Sequence, residues 1–202
     1  MENWRPSERY LFLNVSPDGD HLALALIDDE VPPQKMVEIV NWKSGAEVLR
    51  VNSQQTCMSF SPHGRRLALG TAGPHPTITV FDVGSGRQVL SLKDMPSGIG
   101  VYPSAVQFSP DGRRLAAAIG PKALVWDANT GRLELTLVGH SAHVRSVCFS
   151  PDGGRLATTS EMTASIWDAQ EGREILSLQG HHSWIQAVCF SSDGRRLAAP
   201  AS

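Results

Sequence analysis

Four histidines have the type and spacing that most suggest metal chemistry: His140, His143, His181 and His182. Imidazole binds zinc, and a zinc site needs three or four ligands that converge on one point. No Cys, Asp or Glu joins these histidines at the spacing of a metal site. A repeat explains the spacing instead, because His140 lies 41 residues before His181 and His143 lies 41 residues before Trp184. We therefore expect no metal ion and no cofactor at these residues.

Hydrolysis by a serine nucleophile is a second chemistry to weigh, because serines recur along the chain. They stand in Ser-Pro-Asp-Gly phrases, and not in the Gly-x-Ser-x-Gly sequence that exposes a nucleophile between a strand and a helix. The segments that precede the phrases, LFLNVS, TCMSFS, SAVQFS, RSVCFS and IQAVCFS, carry almost no acid or base groups. We expect no catalytic residue, and the chain is predicted not to be an enzyme.

Arginines suggest a nucleic-acid surface, because they recur after two kinds of turn that share one face of an antiparallel sheet. Those after the first turn are Arg65, Arg66, Arg113, Arg114, Arg155, Arg195 and Arg196, and those after the third are Arg87, Arg132 and Arg173. Aspartates recur at the same turns, and 18 Lys and Arg stand against 20 Asp and Glu, a net charge of −2. A nucleic-acid platform would show a basic excess. We expect a mixed, solvated face and no nucleic-acid partner.

All these residues are distributed by an internal repeat. Five near copies of one phrase occur: NVSPDG (14–19), FSPHG (60–64), FSPDG (108–112), FSPDG (149–153) and FSSDG (190–194). Their first serines are 45, 48, 41 and 41 residues apart. An apolar stretch follows each phrase, and four units then reach a second landmark: Asn41 with Trp42, Phe81 with Asp82, Trp126 with Asp127, and Trp167 with Asp168. A period in the low forties with Trp-Asp near its end is typical of four-stranded propeller blades.

With Gly139-His140 and Gly180-His181 added to these motifs, the chain resembles the WD-repeat β-propeller family over about residues 9–199. The resemblance implies blades arranged around a central channel, which serve as a platform for other proteins and rarely as a catalyst. We expect an all-β, incomplete or open propeller of about four and a half blades. The predicted units are 9–51, 55–92, 104–138, 143–178 and a partial 185–199, with a non-repeat segment at 1–8 and a tail at 200–202.

The expected open arc leaves an unpaired edge in the last unit, because propellers hide their edges by closing a ring of about 4–8 blades. Two alternatives follow. The chain is part of a longer gene product, which we favour because seven blades of this period need roughly 290 residues. Otherwise it self-associates through the edge of the C-terminal blade.

The resemblance also implies a structural network in which the Gly-His histidine, a strand hydroxyl, the blade Trp and a turn Asp are joined. Only the fourth unit comes near this pattern, with His140, a hydroxyl within 158–160, Trp167, and Glu161 where Asp is usual. His181 and Trp126 are the matching residues of neighbouring units. We expect the network in the fourth unit, and apolar packing to hold the other units together.

Insertions of variable length predict where a partner binds. Segments 27–35, 72–76 and 93–103 all extend the face opposite the arginine-rich turns, and insertions in repeat proteins often mark a binding face. Neutral length variation is the alternative, because exposed loops tolerate it. The predicted binding residues are His75, Met95, Tyr102, His143 and Trp184. We expect a non-catalytic protein-interaction scaffold that binds proteins or peptides; the alternative is a ligand- or peptide-sensing regulatory module attached to an enzyme domain outside this chain.

The cellular setting is predicted from the cysteines and from hydropathy. No apolar run reaches the roughly 18 residues of a membrane span, and the N-terminal residues lack a secretory h-region. Cys57, Cys148 and Cys189 follow the repeat on the first strand of their units, which predicts small buried thiols without a disulfide framework. We expect a cytoplasmic protein with no membrane partner.

Overall fold

The computed structural model of the chain describes residues 9–27, 35–52, 55–73, 75–92, 95–96, 98 and 101–200. The predicted segment 1–8, the centre of the insertion 27–35 and the end of the predicted tail lie outside the described residues. The described residues contain no helix that is long and apolar enough to cross a membrane.

Every regular element of the described chain is a β-strand, and the strands form five antiparallel sheets. The first sheet holds β1 (Arg9–Val15), β2 (His21–Ile27), β3 (Lys35–Asn41) and β4 (Ala46–Asn52). The second holds β5 (Gln55–Phe60), β6 (Arg66–Thr71), β7 (Thr77–Asp82) and β8 (Gln88–Ser91). The third holds β9 (Pro103–Phe108), β10 (Arg114–Ile119), β11 (Lys122–Asp127) and β12 (Leu133–Val138). The fourth holds β13 (Val144–Phe149), β14 (Arg155–Ser160), β15 (Thr163–Asp168) and β16 (Glu174–Leu178), and the fifth β17 (Cys189–Phe190) and β18 (Leu197–Ala198).

Strand order within each four-stranded sheet follows the chain, so each sheet is an up-and-down meander. Four such sheets and a small fifth confirm the predicted all-β, incomplete propeller. Two faces follow from this order. The hairpins β1–β2 and β3–β4 and their equivalents lie on one face, which we call the turn face. The β2–β3 hairpins and the connections between sheets lie on the opposite face, which we call the loop face.

The Ser-Pro-Asp-Gly turns fold through local hydrogen bonds. In the third unit, the Ser109 hydroxyl donates to Asp111 Oδ1 over 2.6 Å and the Arg113 N–H donates to the same oxygen over 3.0 Å. Burial alone would raise the pKa of Asp111, but these donors and the nearby guanidinium groups hold it below its ordinary value. Gly112 follows with a φ of 69°, a left-handed conformation that glycine adopts without steric cost. The repeated phrase is therefore a repeated hairpin turn.

The register of the first unit differs from the one predicted. His21 pairs with Asn41, just as Arg114 pairs with Asp127, so Asn41 stands in the Asp position of the later units. Asn41 Oδ1 accepts hydrogen bonds from backbone N–H groups of the following turn, as Asp127 Oδ1 does. Trp42 therefore lies one residue beyond the buried Trp position and is 56% exposed, with its indole N–H donating to the Gly19 carbonyl. The prediction that Asn41 and Trp42 together correspond to the Trp-Asp of later units was wrong.

Apolar side chains fill the space between consecutive sheets. Trp126 on β11 is fully buried between the second and third sheets, in one cluster with Ile78 and Phe108. Trp167 on β15 is 2% exposed and lies between the third and fourth sheets with Val125 and Phe149. Each sheet thus buries one side against the next, as in other repeat arrays.

Arginines of the turn face also join consecutive sheets. The bonds run from Arg66 Nη1 to Ala128 O (2.8 Å), from Arg114 Nη2 to Gly153 O (2.6 Å) and from Arg155 Nη2 to Gly194 O (2.8 Å). Arg114 also donates to the Ala169 carbonyl, and its guanidinium lies 5.3 Å from the centre of the Phe149 ring. Arg66, Arg114 and Arg155 are therefore inter-sheet contacts, whereas the sequence predicted solvated charges.

The fourth sheet leaves apolar positions of its outermost strand exposed. On β16, Leu176 and Leu178 are 46% and 38% exposed. Leu137, which corresponds to Leu178 in the preceding unit, is 1% exposed because the fourth sheet packs against it. In the described part of the chain the fifth unit contributes only β17 and β18, which are shorter than predicted because no third strand pairs with β18 there. Self-association through this edge stays a prediction.

The cysteines differ in burial, although the repeat predicted equivalent buried thiols. Cys148 is 9% exposed and packs with Ala157 of its own unit and with Val188 of the next unit. Cys57 is half-buried, and Cys189 is exposed. The corresponding cover for Cys189 would come from a further unit, and the described residues contain none on that side. The prediction of a buried thiol was therefore wrong for Cys189.

Candidate functional site

A chain of hydrogen bonds crosses the interior of the fourth unit. The indole N–H of Trp167 on β15 donates to the Thr158 hydroxyl on β14 over 2.7 Å, and this hydroxyl lies 2.6 Å from His140 Nε2. The His140 and Trp167 rings meet edge to face, with centroids 5.9 Å apart. Gly139 makes this approach possible, because a Cβ there would lie 3.0 Å from Trp167 Cη2. The structure thus brings together three polar side chains that join neighbouring strands of one blade.

Glu161 does not take part in this network, although it was predicted as its carboxylate. Its φ is 48°, a left-handed value at the β14–β15 turn, and its side chain is exposed. Its backbone carbonyl accepts the N–H of Ile185 over 2.7 Å, which ties the fifth unit to the fourth. The carboxylate whose charge acts on His140 is that of Glu174, on β16. Glu161 therefore positions a connection on the loop face.

The protonation of His140 couples the network to pH. Burial lowers the pKa of His140 below its ordinary value near 6.5, and the nearby Glu174 carboxylate only partly opposes this shift. A neutral imidazole lets Nε2 accept the hydroxyl proton of Thr158, whose oxygen already accepts from Trp167. The unfolded chain therefore binds this proton more tightly than the folded chain does.

We expect the free energy of unfolding to fall as the pH drops from about 8 to about 5, and a His140→Gln variant to lose part of this dependence. The stabilisation from neutral His140 is present above the ordinary histidine pKa and is lost as the pH falls through it. Urea titrations at several pH values, followed by circular dichroism, measure the effect. A constant difference between wild type and variant across this range would contradict a lowered His140 pKa.

The other predicted network residues lie apart from this hydrogen-bond chain. Trp126 is buried in the third unit, and half-buried Met95 packs against the same cluster. His181 is half-buried at the entry to the fifth unit, whose described strands include no third strand to supply a Trp. Among the described residues no group of three or more His, Cys, Asp or Glu could hold a metal ion.

Three rings of the predicted partner face occupy one structural position in consecutive units. Tyr102 and His143 come directly before the residues that begin β9 and β13, and Trp184 comes directly before Ile185, the residue 41 positions after Val144. Those following residues are buried, and two are tied to the preceding sheet, with the Val144 N–H donating to the Gly120 carbonyl over 2.7 Å and Ile185 to Glu161. This anchoring leaves the rings outside the core. Tyr102 is 43% exposed, Trp184 is 51% exposed and His143 is exposed.

Two further predicted residues of this face have different surroundings. His75 is exposed in the β6–β7 connection on the loop face. Met95 is half-buried against the core between the second and third sheets, so the prediction of an exposed Met95 was wrong. Its side chain packs against the apolar cluster that contains Trp126, in a unit without a Gly-His histidine at this position. The described rim therefore consists of Tyr102, His143 and Trp184.

Arg145 is a member of this face that the sequence did not reveal. Its guanidinium carbon lies 4.3 Å from the centre of the Trp184 ring, which defines a cation–π contact between two units. When the units are aligned, Arg145 stands where Ser104 stands in the third unit. A charge at a position that is uncharged in the third unit was the sequence signal that could have identified Arg145.

The turn face has a different character. An open depression of about 490 Å³ lies between the third and fourth units, and its charged lining residues are Asp111, Arg113, Arg114, Asp127 and Glu134. The depression therefore presents charges of both signs and no concentrated positive patch.

Comparison with known proteins adds one match. The WD40 family model, described as WD domain, G-beta repeat, matches residues 131–168 and 172–201. The first match runs from β12 through β15, and the second contains β16, β17 and β18. No curated protein matches the chain.

Proposed function

We propose that this chain, a WD-repeat protein, is a non-catalytic platform that binds proteins or peptides through the rim formed by Tyr102, His143 and Trp184. WD40 repeats generally mediate protein–protein interactions, and domains built from them are typically non-catalytic. The family therefore supports the class of function, and the location of the site is our own proposal.

The observation that carries this proposal is the exposure of three rings at equivalent positions of consecutive units. Tyr102 and Trp184 expose about half of their large side chains, whereas Trp126 and Trp167 are buried between sheets. Aromatic residues are enriched at the cores of protein interfaces, and a few such anchors carry most of the affinity. Because the following residues are fixed in the core, little backbone order would have to be gained on binding.

A nucleic-acid platform on the turn face receives less support. Arg66, Arg114 and Arg155 donate to backbone carbonyls of the next unit, so part of their hydrogen-bonding capacity is used within the protein. The remaining charges of that face include carboxylates as well as arginines. Phosphate binding relies on basic groups that face the solvent.

Replacement of Tyr102 and Trp184 by alanine should release a bound partner, with a loss of at least about 30-fold in affinity if both are anchors. The measurement is capture of partners on the immobilised chain, followed by affinity determination with the recovered partner. The matched control carries Arg113→Ala and Arg195→Ala on the turn face, and should bind like the wild type. Loss of binding by the control alone, with circular dichroism unchanged, would move the site to the turn face.

A further inference from the structure

Arg145 is placed on the loop face by an irregularity of its strand. The pairing of β13 with β14 shifts between Val144 and Ser146, so Arg145 lies outside the regular ladder. The same shift in the third unit falls at Ser104, whose hydroxyl donates to the Val144 carbonyl over 2.6 Å. Bulges of this kind redirect a side chain. In the fourth unit the redirected side chain is a cation.

The guanidinium of Arg145 stacks on Trp184 of the next unit. Its guanidinium carbon lies over the ring, 4.3 Å from the ring centre. In this arrangement the N–H groups of the two Nη atoms can still donate to an acceptor in the guanidinium plane. Trp184 is 51% exposed, which places the pair at the boundary with solvent. The indole therefore fixes the orientation of a cation that a ligand can reach.

The hydrogen bonding of Arg145 is incomplete within the described residues. Its Nε is buried and has no acceptor there. Arg114 and Arg155, in contrast, donate to carbonyls of the next unit, and Arg173 pairs with Glu171. A buried donor of a charged group without an acceptor is unfavourable, and an anion beside the guanidinium offsets part of this cost through its charge.

We propose that Arg145, stacked on Trp184, recognises a carboxylate of the bound protein, an Asp or Glu side chain next to an apolar residue. The inference rests on the proposed function and adds the chemistry of the partner. An arginine fork matches a carboxylate in plane with two parallel hydrogen bonds. The apolar neighbour of the carboxylate contacts Trp184 and Met162, which is 44% exposed at the adjacent β14–β15 turn.

A single carboxylate fits this site better than a phosphate or a long acidic run. Phosphate recognition draws on clusters of Arg or Lys, and Arg145 is the one arginine or lysine within the described segments 143–146, 160–163 and 181–186. Glu161 is exposed on the same turn whose carbonyl holds Ile185, beside Trp184. Its negative charge disfavours a dense acidic segment.

Selection of random 12-residue peptides displayed on phage, with the 202-residue chain as bait, tests this inference. We expect the selected peptides to share an Asp or Glu beside an apolar residue. A fluorescein-labelled selected peptide should lose about 10- to 100-fold in affinity when Arg145→Gln is introduced, and similarly when its own Glu is changed to Gln. Arg145→Lys should restore part of the affinity, and increasing salt should weaken binding of the wild type.

The outcomes separate this inference from the proposed function. Selected peptides without a common acid, or an unchanged affinity of Arg145→Gln while Tyr102→Ala with Trp184→Ala abolishes binding, would overturn the carboxylate site alone. A phosphoserine peptide that binds more than tenfold tighter than its Glu counterpart would assign the site to phosphate, and would also overturn the carboxylate site. Binding that survives Tyr102→Ala with Trp184→Ala, or a selection that enriches no peptide, would contradict both the carboxylate site and the proposed function.

Discussion

Replacing Trp167 by alanine should lower the free energy of unfolding by about 3–5 kcal/mol. The side chain is 2% exposed between two sheets, and its indole N–H donates to Thr158. The substitution opens a cavity beside the His140 ring and leaves the Thr158 and His140 pair without its indole donor. Urea titration followed by circular dichroism measures the loss.

His182→Ala is the control for this prediction, because His182 is exposed and belongs to the pair of histidines that suggested a metal site. Its substitution should change the free energy of unfolding by less than about 0.5 kcal/mol. Comparable losses for Trp167→Ala and His182→Ala would show that the buried and exposed sides of the fourth unit have been assigned incorrectly.

Arg114→Ala should produce the second large effect, on the order of 2 kcal/mol of unfolding free energy. Arg114 donates to the carbonyls of Gly153 and Ala169 and covers the Phe149 ring, so its removal weakens the contact between the third and fourth sheets. Hydrogen bonds with a charged donor are stronger than neutral ones. Urea titration at fixed pH and salt gives the value.

Arg113→Ala is the matched control, since Arg113 is the exposed neighbour in the same Arg-Arg pair. We expect its loss to stay within about 0.5 kcal/mol. Equal effects of the two substitutions would mean that the inter-sheet bonds of Arg114 contribute no stability, and that the arginines of the turn face act as surface charges.

The blades could be predicted from the sequence because their signals are local. Ser109, Asp111 and Gly112 form one turn with contacts two to five residues apart, and the same phrase recurs in each unit. The alternation of apolar residues between these turns predicts strands. Local chemistry repeated five times therefore sufficed for the fold class.

Contacts between units could not be predicted, because they depend on geometry that the period does not contain. The sequence shows Arg113 and Arg114 as adjacent identical residues, yet only Arg114 is seen to reach the next sheet. Glu161 has the right type for the His140 network, but its left-handed backbone places the side chain on the surface. In the first unit, the order Asn41 then Trp42 concealed a shift of one residue.

The candidate rim could be predicted in part. Tyr102, His143 and Trp184 follow from the repeat, because equivalent positions lie on the same face. The prediction of an exposed Met95 was wrong because the long connection returns to the core, where Met95 packs against the cluster that contains Trp126. Arg145 was missed because a bulge reverses the inward and outward alternation of its strand.

Hydrogen–deuterium exchange of the chain with and without a captured partner tests most directly whether the loop face is the binding site. Binding at the loop face predicts slower exchange in segments 101–103, 142–146 and 182–186, which carry the rim and Arg145. Exchange in the turn-face segments 62–66, 110–114 and 151–155 should stay unchanged. Protection confined to the turn-face segments would contradict the proposed site.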